Sequence, residues 1–152
     1  MRAFAILCGV LLAIGSAPAN AADPRHAGEQ TMVLVVSRDS PVTHLDVIDV
    51  RKLFLGLTVI NNGRTLRALE NRSDGRLREA FLQNVIGMPE RAYERRLLSI
   101  TLQQGAHRPE VYTEAATLLD AVAGDPGAVS VAWATDASQN RRIRVLRVLW
   151  RD

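Results

Sequence analysis

The run "MVLVV", residues 32–36, sets five apolar side chains in a row, three of them valine. Branching at Cβ favours extended backbone, and an unbroken apolar run of this length suits a strand covered on both faces. Such a strand belongs inside an α/β sheet, so amphipathic helices should follow it. After the loop "SRDSPV" (37–42), Leu45, Ile48, Leu53 and Phe54 are spaced to face inward from a helix expected over residues 44–54. Thr43 and Asp46 make a capping-box-like start, Arg51 and Lys52 complement the negative end, and Gly56 can close it.

Downstream, "NNGR" marks a turn centred on Asn62-Gly63, and a short strand is expected at residues 66–69. A second helix carries Leu77, Ala80, Phe81 and Val85 on one face and stops at Gly87. Pro89 suits the first turn of a third, which groups Tyr93, Leu97 and Ile100 and ends at Gly105. "HRPE" reads as a loop. A fourth helix over residues 113–123 has a stripe of Ala115, Leu118, Leu119 and Val122, and "GDPG" breaks it. "AVSVAW" and "RIRVLRVLW" read as two last strands, the second with a bulge because Val145 and Leu146 interrupt its alternation. The order is strand, helix, strand, three helices, two strands. That is one α/β domain with a small mixed sheet over residues 31–152.

Upstream, Arg2, the apolar core "FAILCGVLLAI" and the small residues Ala19 and Ala21 form a signal peptide expected to be cut after residue 21. Residues 22–30 are a polar lead-in. The apolar core is shorter than the ~20 residues that span a bilayer, and no later stretch is long and apolar enough. The expected location is periplasmic. Cleavage leaves 131 of 152 residues, one modest core, and removes the only cysteine, so no disulfide, thiol nucleophile or cysteine metal site is available. Loss of Arg2 leaves 18 basic against 16 acidic residues, mixed along the chain; few aromatics accompany them, which argues against a nucleic-acid face. His26, His44 and His107 lack metal-ligand spacing, and no G-x-S-x-G elbow accompanies Ser40 and His44. Neither a cofactor nor an enzymatic activity is expected.

The stretch "ENRSDGRLREAF" (70–81) is the main site candidate. Arginines at 72, 76 and 78 crowd the start of a helix, which already carries partial positive charge. Two explanations compete. Ser73 or Asp74 caps the helix and the arginines face water; or the amides of Gly75 and its neighbours hold an anion, with Arg72 or Arg76 as a charged clamp. Ser40, in the loop after the first strand, is a further candidate, because open α/β sheets place ligands at strand carboxyl ends.

The succession "SRDSPV", "HLDVIDVRKLFLGLTVINNG", "NRSDGRLREAFLQNVIGM" and "DAVAGDPGAVSVAW" resembles the phosphate-binding proteins of bacterial ABC importers, of the type 2 periplasmic binding-protein fold, and more closely their short single-domain relatives. The likeness implies one α/β lobe, an oxyanion ligand and an envelope or transporter partner. In that family a glycine-serine-glycine-threonine loop at a helix start, after an arginine and an acid, holds the anion. Arg72, Asp74 and Gly75 match the arginine, acid and first glycine. Arg76 stands for the serine and Leu77-Arg78 for the glycine-threonine pair, so the hydroxyl donors are missing. The ligand-binding set implied is therefore Ser40, Arg72, Asp74, Gly75 and Arg76. Loss of the hydroxyls points instead to an envelope interaction module that keeps the lobe but not the solute.

Overall fold

The computed structural model describes residues 30–152. The expected signal peptide and all but the last residue of the lead-in lie outside the described residues. Strand β1 (Thr31–Ser37) contains the apolar run at residues 32–36. Helix α1 (Val47–Phe54), a hairpin of β2 (Ile60–Asn61) and β3 (Arg64–Thr65), and strand β4 (Arg67–Asn71) follow. Helix α2 (Gly75–Phe81) runs on as a π-helical turn (Leu82–Ile86), and α3 (Glu90–Gln104) comes next. The chain closes with β5 (Glu110–Tyr112), α4 (Ala115–Gly124), β6 (Ala128–Trp133), α5 (Ala134–Gln139) and β7 (Ile143–Arg151).

Five strands form one mixed sheet in the order β5-β4-β6-β1-β7. β4 is parallel to β5 and β6, whereas β1 is antiparallel to β6 and β7. β1 is thus an inner strand, as its apolar run requires. Met32, Leu34 and Val36 face a cluster with Phe54, Phe81 and Tyr93 under α1, α2 and α3. Val33 and Val35 face a second cluster with Leu118, Leu119 and Val122 of α4. Phe54 and Phe81 meet edge to face at 4.8 Å, a geometry that aromatic quadrupoles favour.

Several sequence expectations change. Asp46, not Thr43, caps α1: its carboxylate accepts the Asp49 amide at 2.7 Å, so the helix starts later than residue 44. Ile48 then points outward, 62% exposed, and Val50 takes the inward place. β5 and α5 were not expected. They are three and six residues long, too short to repeat a period. The bulge in the last strand is present: β7 shifts register against β1 twice. At the hairpin, Asn62 and Gly63 both adopt positive φ (48° and 74°), the backbone that a tight two-residue turn needs. Gly56 approaches another loop so closely that a Cβ would lie 2.8 Å from the His107 carbonyl oxygen.

Candidate functional site

The β4–α2 junction is shaped by Asn71. Its Oδ1 accepts from the Ser73 amide and hydroxyl, at 3.0 and 2.6 Å, which turns the chain. Its Nδ2 donates to the Val131 carbonyl and ties the turn to β6. Asp74 is the N-cap of α2 and accepts the Leu77 amide at 2.8 Å. The amides of Gly75 and Arg76 have no acceptor among the described residues. A Cβ on Gly75 would meet nothing within 4 Å, so this turn opens outward.

The three arginines go to three different environments. Arg76 alone faces water, 63% exposed, within 3.4 Å of Asp152. Arg72 is one-third exposed and lies between two carboxylates: Nε donates to Glu70 and Nη2 to Glu94, each at 2.5 Å. Arg78 is buried, with Nη1 2.8 Å from Glu70 and its guanidinium 5.1 Å from the Tyr93 ring centre. Nε and Nη1 of Arg78 make no hydrogen bond, so the Glu70 contact is one of charge rather than of aligned donor and acceptor. The water-facing explanation thus holds for Arg76 only.

Glu70 is 2% exposed and anchors the cluster. The Tyr93 hydroxyl donates to the Phe54 carbonyl at 2.7 Å and has the second Glu70 oxygen at 3.3 Å. Burial, and then the Glu70 charge, push the Tyr93 phenol well above its ordinary value. Glu94 also receives Arg108. Its burial acts to raise the carboxyl, but hydrogen bonds and charge from Arg72 and Arg108 outweigh that and hold it below the usual range. For Arg72 burial works downward, and Glu70 and Glu94 outweigh it and raise the guanidinium. Glu70, Glu90, Glu94 and Asp152 pair with Arg72, Arg76, Arg78 and Arg108, so the junction carries no surplus of positive charge for an anion.

Ser40 does not join this group. Val36 pairs with Val129, and Arg67 with Ala128, so the carboxyl end of β1 lies level with the start of β4. Arg72 leaves from the other end of β4, four residue rises or ~13 Å away. Ser40 is buried there, its hydroxyl accepting from the Val42 amide and its carbonyl from Arg144. The sequence signal failed because it counted from the end of β1 without knowing that β1 runs antiparallel to β6. Glu70 was detectable as a neighbour of Arg72, since side chains two apart along extended backbone point to the same side. Glu94 and Tyr93, more than twenty residues away on α3, carried no such signal.

Two hollows lie at opposite ends of β4. One of about 690 Å³ runs between Gly75, Arg78, Met88 and Pro89. One of about 720 Å³ lies at the other end of β4, lined by Leu53, Leu66, Arg64, Arg67 and His107. There Arg67 is already paired with Asp125 at 3.1 Å and Glu110 at 3.6 Å.

No family model matches the sequence, and no curated protein matches it. Solved structures do resemble the fold. An ABC-type phosphate transport receptor from Vibrio cholerae is 14% identical with a TM-score of 0.58, over 78% of this chain and 46% of that one. A putative phosphate ABC transporter substrate-binding protein from Clostridium perfringens, solved with bound phosphate, is 12% identical with a TM-score of 0.60, over 78% and 45%. PstS from Borrelia burgdorferi is 10% identical with a TM-score of 0.56, over 78% and 47%. The chain spans under half the length of these proteins, and its five-stranded mixed sheet with flanking helices corresponds to a single lobe of a periplasmic binding-protein fold.

Proposed function

We propose that this protein is an envelope accessory module, exported through its N-terminal signal, that keeps one lobe of the phosphate-binding-protein fold for contacts with other envelope components and has given up tight solute capture. One observation carries this: the arginines next to the helix start are neutralised from within, Arg72 by Glu70 and Glu94, Arg78 by Glu70, while the Asp74 carboxylate takes a first-turn amide. A phosphate would have to compete with carboxylates already in place. It would also sit on one wall, whereas deep burial of a small ligand calls for two lobes that close around it. Titration calorimetry with phosphate and sulfate at fixed ionic strength is the test. No saturable heat is expected at ligand concentrations below ~1 mM, the range in which an open half-site has too little buried contact to bind. Micromolar binding would overturn the proposal.

A second, weaker reading is favoured by the unoccupied amides of Gly75 and Arg76 and the open space in front of them. A small oxyanion would rest there, with Arg72 and Arg76 beside it and Asp74 accepting a hydrogen bond from the hydroxyl of a monoprotonated phosphate. Its Kd would be ~0.1–1 mM, since little of the ligand is buried. Arg76→Ala should then abolish the anion-dependent rise in melting temperature, whereas the first reading expects equal, non-saturating responses from wild type and variant.

A further inference from the structure

Helix α3 is apolar on two opposite sides, and only one of them is used. Tyr93, Leu97 and Ile100 are buried against the sheet. Successive residues advance by ~100°, so Arg91, Arg95, Leu98 and Leu102 share a stripe ~60° wide on the far side, ~160° from the buried group. Leu98 is 50% exposed and Leu102 is 76% exposed, two of the largest apolar side chains left in water. Arg91 and Arg95 are exposed and have no acidic partner among the described residues, unlike Arg72, Arg78 and Arg108. The stripe is ~16 Å long, with unpaired guanidinium groups towards one end and leucines towards the other.

We infer that this face of α3 rests on an anionic lipid surface, the guanidinium groups on lipid phosphates and Leu98 and Leu102 dipping below them. The inference rests on the envelope location and deepens the accessory-module proposal by naming the partner. Charge complementarity selects the occupant: two unpaired arginines one turn apart call for phosphate, whose oxygens fit the planar guanidinium fork. A lasting protein interface needs roughly 800 Å² on each partner, with aromatic anchors at its centre. Two leucines one turn apart, with no aromatic on the stripe, fall short of that. Shallow, reversible adsorption needs only a small apolar face flanked by basic residues.

The experiment is co-sedimentation of the processed protein, purified from the periplasmic fraction, with phosphatidylglycerol and with phosphatidylcholine vesicles. Binding to phosphatidylglycerol alone, weakened by salt, is expected. The pair Arg91→Gln and Arg95→Gln should lower the partition coefficient roughly tenfold or more. The pair Leu98→Ser and Leu102→Ser should lower it comparably, with the melting temperature unchanged because neither leucine is buried. Equal binding to both lipids, or no loss in either double variant, would overturn the inference. So would a concentration-dependent dimer that dissociates in the leucine variant, which would make the stripe a contact between two copies. A parallel phosphate titration keeps the two proposals apart: micromolar phosphate binding sinks the accessory-module proposal, whereas absence of both phosphate and vesicle binding sinks only the lipid inference.

Discussion

Replacing Glu70 by glutamine changes one atom of a buried side chain and should destabilise the protein by ~3 kcal/mol. The carboxylate is 2% exposed and lies within 2.5 Å of Arg72 Nε and 2.8 Å of Arg78 Nη1. Removing one member of a buried ion pair usually costs ~3–5 kcal/mol, because the other charge is left uncompensated. The lower end applies here. Arg72 keeps Glu94, and Arg78 keeps weaker contacts with Glu90 at 3.4 Å and Glu94 at 3.8 Å. Arg78 suffers most: its side chain is only 9% exposed, and two of its nitrogens have no hydrogen bond to fall back on. Glutamine preserves the volume, so no cavity contributes. The assay is urea denaturation of wild type, Glu70→Gln, Arg78→Met and the double variant, each read as a midpoint shift at constant slope. The double variant should lose well under the sum of the two single losses, with a coupling of ~1 kcal/mol or more, since it leaves no orphaned charge at this contact. A Glu70→Gln loss within ~0.5 kcal/mol, the range of ordinary surface changes, would refute the assignment of Glu70 as the keystone of the junction.

Acid should weaken the same cluster. The Glu94 carboxyl is held below its ordinary value, so its contribution is present above that value and is lost as pH falls through the depressed folded one. Stability measured downward from about pH 5 should therefore drop less steeply in Glu94→Gln than in wild type; parallel curves would contradict this. On the other face of the sheet, Leu118 is fully buried between α4 and the strands, and Leu118→Ala should cost ~2–5 kcal/mol. Exposed Glu114, just before that helix, should tolerate alanine within ~0.5 kcal/mol, and equal melting shifts for the two would mean that the buried face of α4 is wrongly assigned.

Local chemistry alone determined much of this protein. Five consecutive apolar residues at 32–36 require cover on both faces, and the sheet provides it with one cluster on each side. The periods of α2, α3 and α4, and the stops at Gly87 and Gly105, were legible because each depends on neighbours three or four residues away. A cap at Ser73 or Asp74 was legible for the same reason, and the fold selects Asp74. Only the tertiary structure decided what the arginines at 72, 76 and 78 do. Their roles depend on Glu94 and Tyr93, brought over by α3, and on the burial that turns the Glu70 contact with Arg78 into a strong interaction. Strand direction was likewise hidden: a buried strand reads the same whether its neighbours run parallel or antiparallel, yet that choice places Ser40 and Gly75 at opposite ends of the sheet. Apolar periodicity records which side of an element is covered, because solvent transfer acts on each residue separately. Charge compensation acts between residues distant in sequence, so it exists only once the chain has folded.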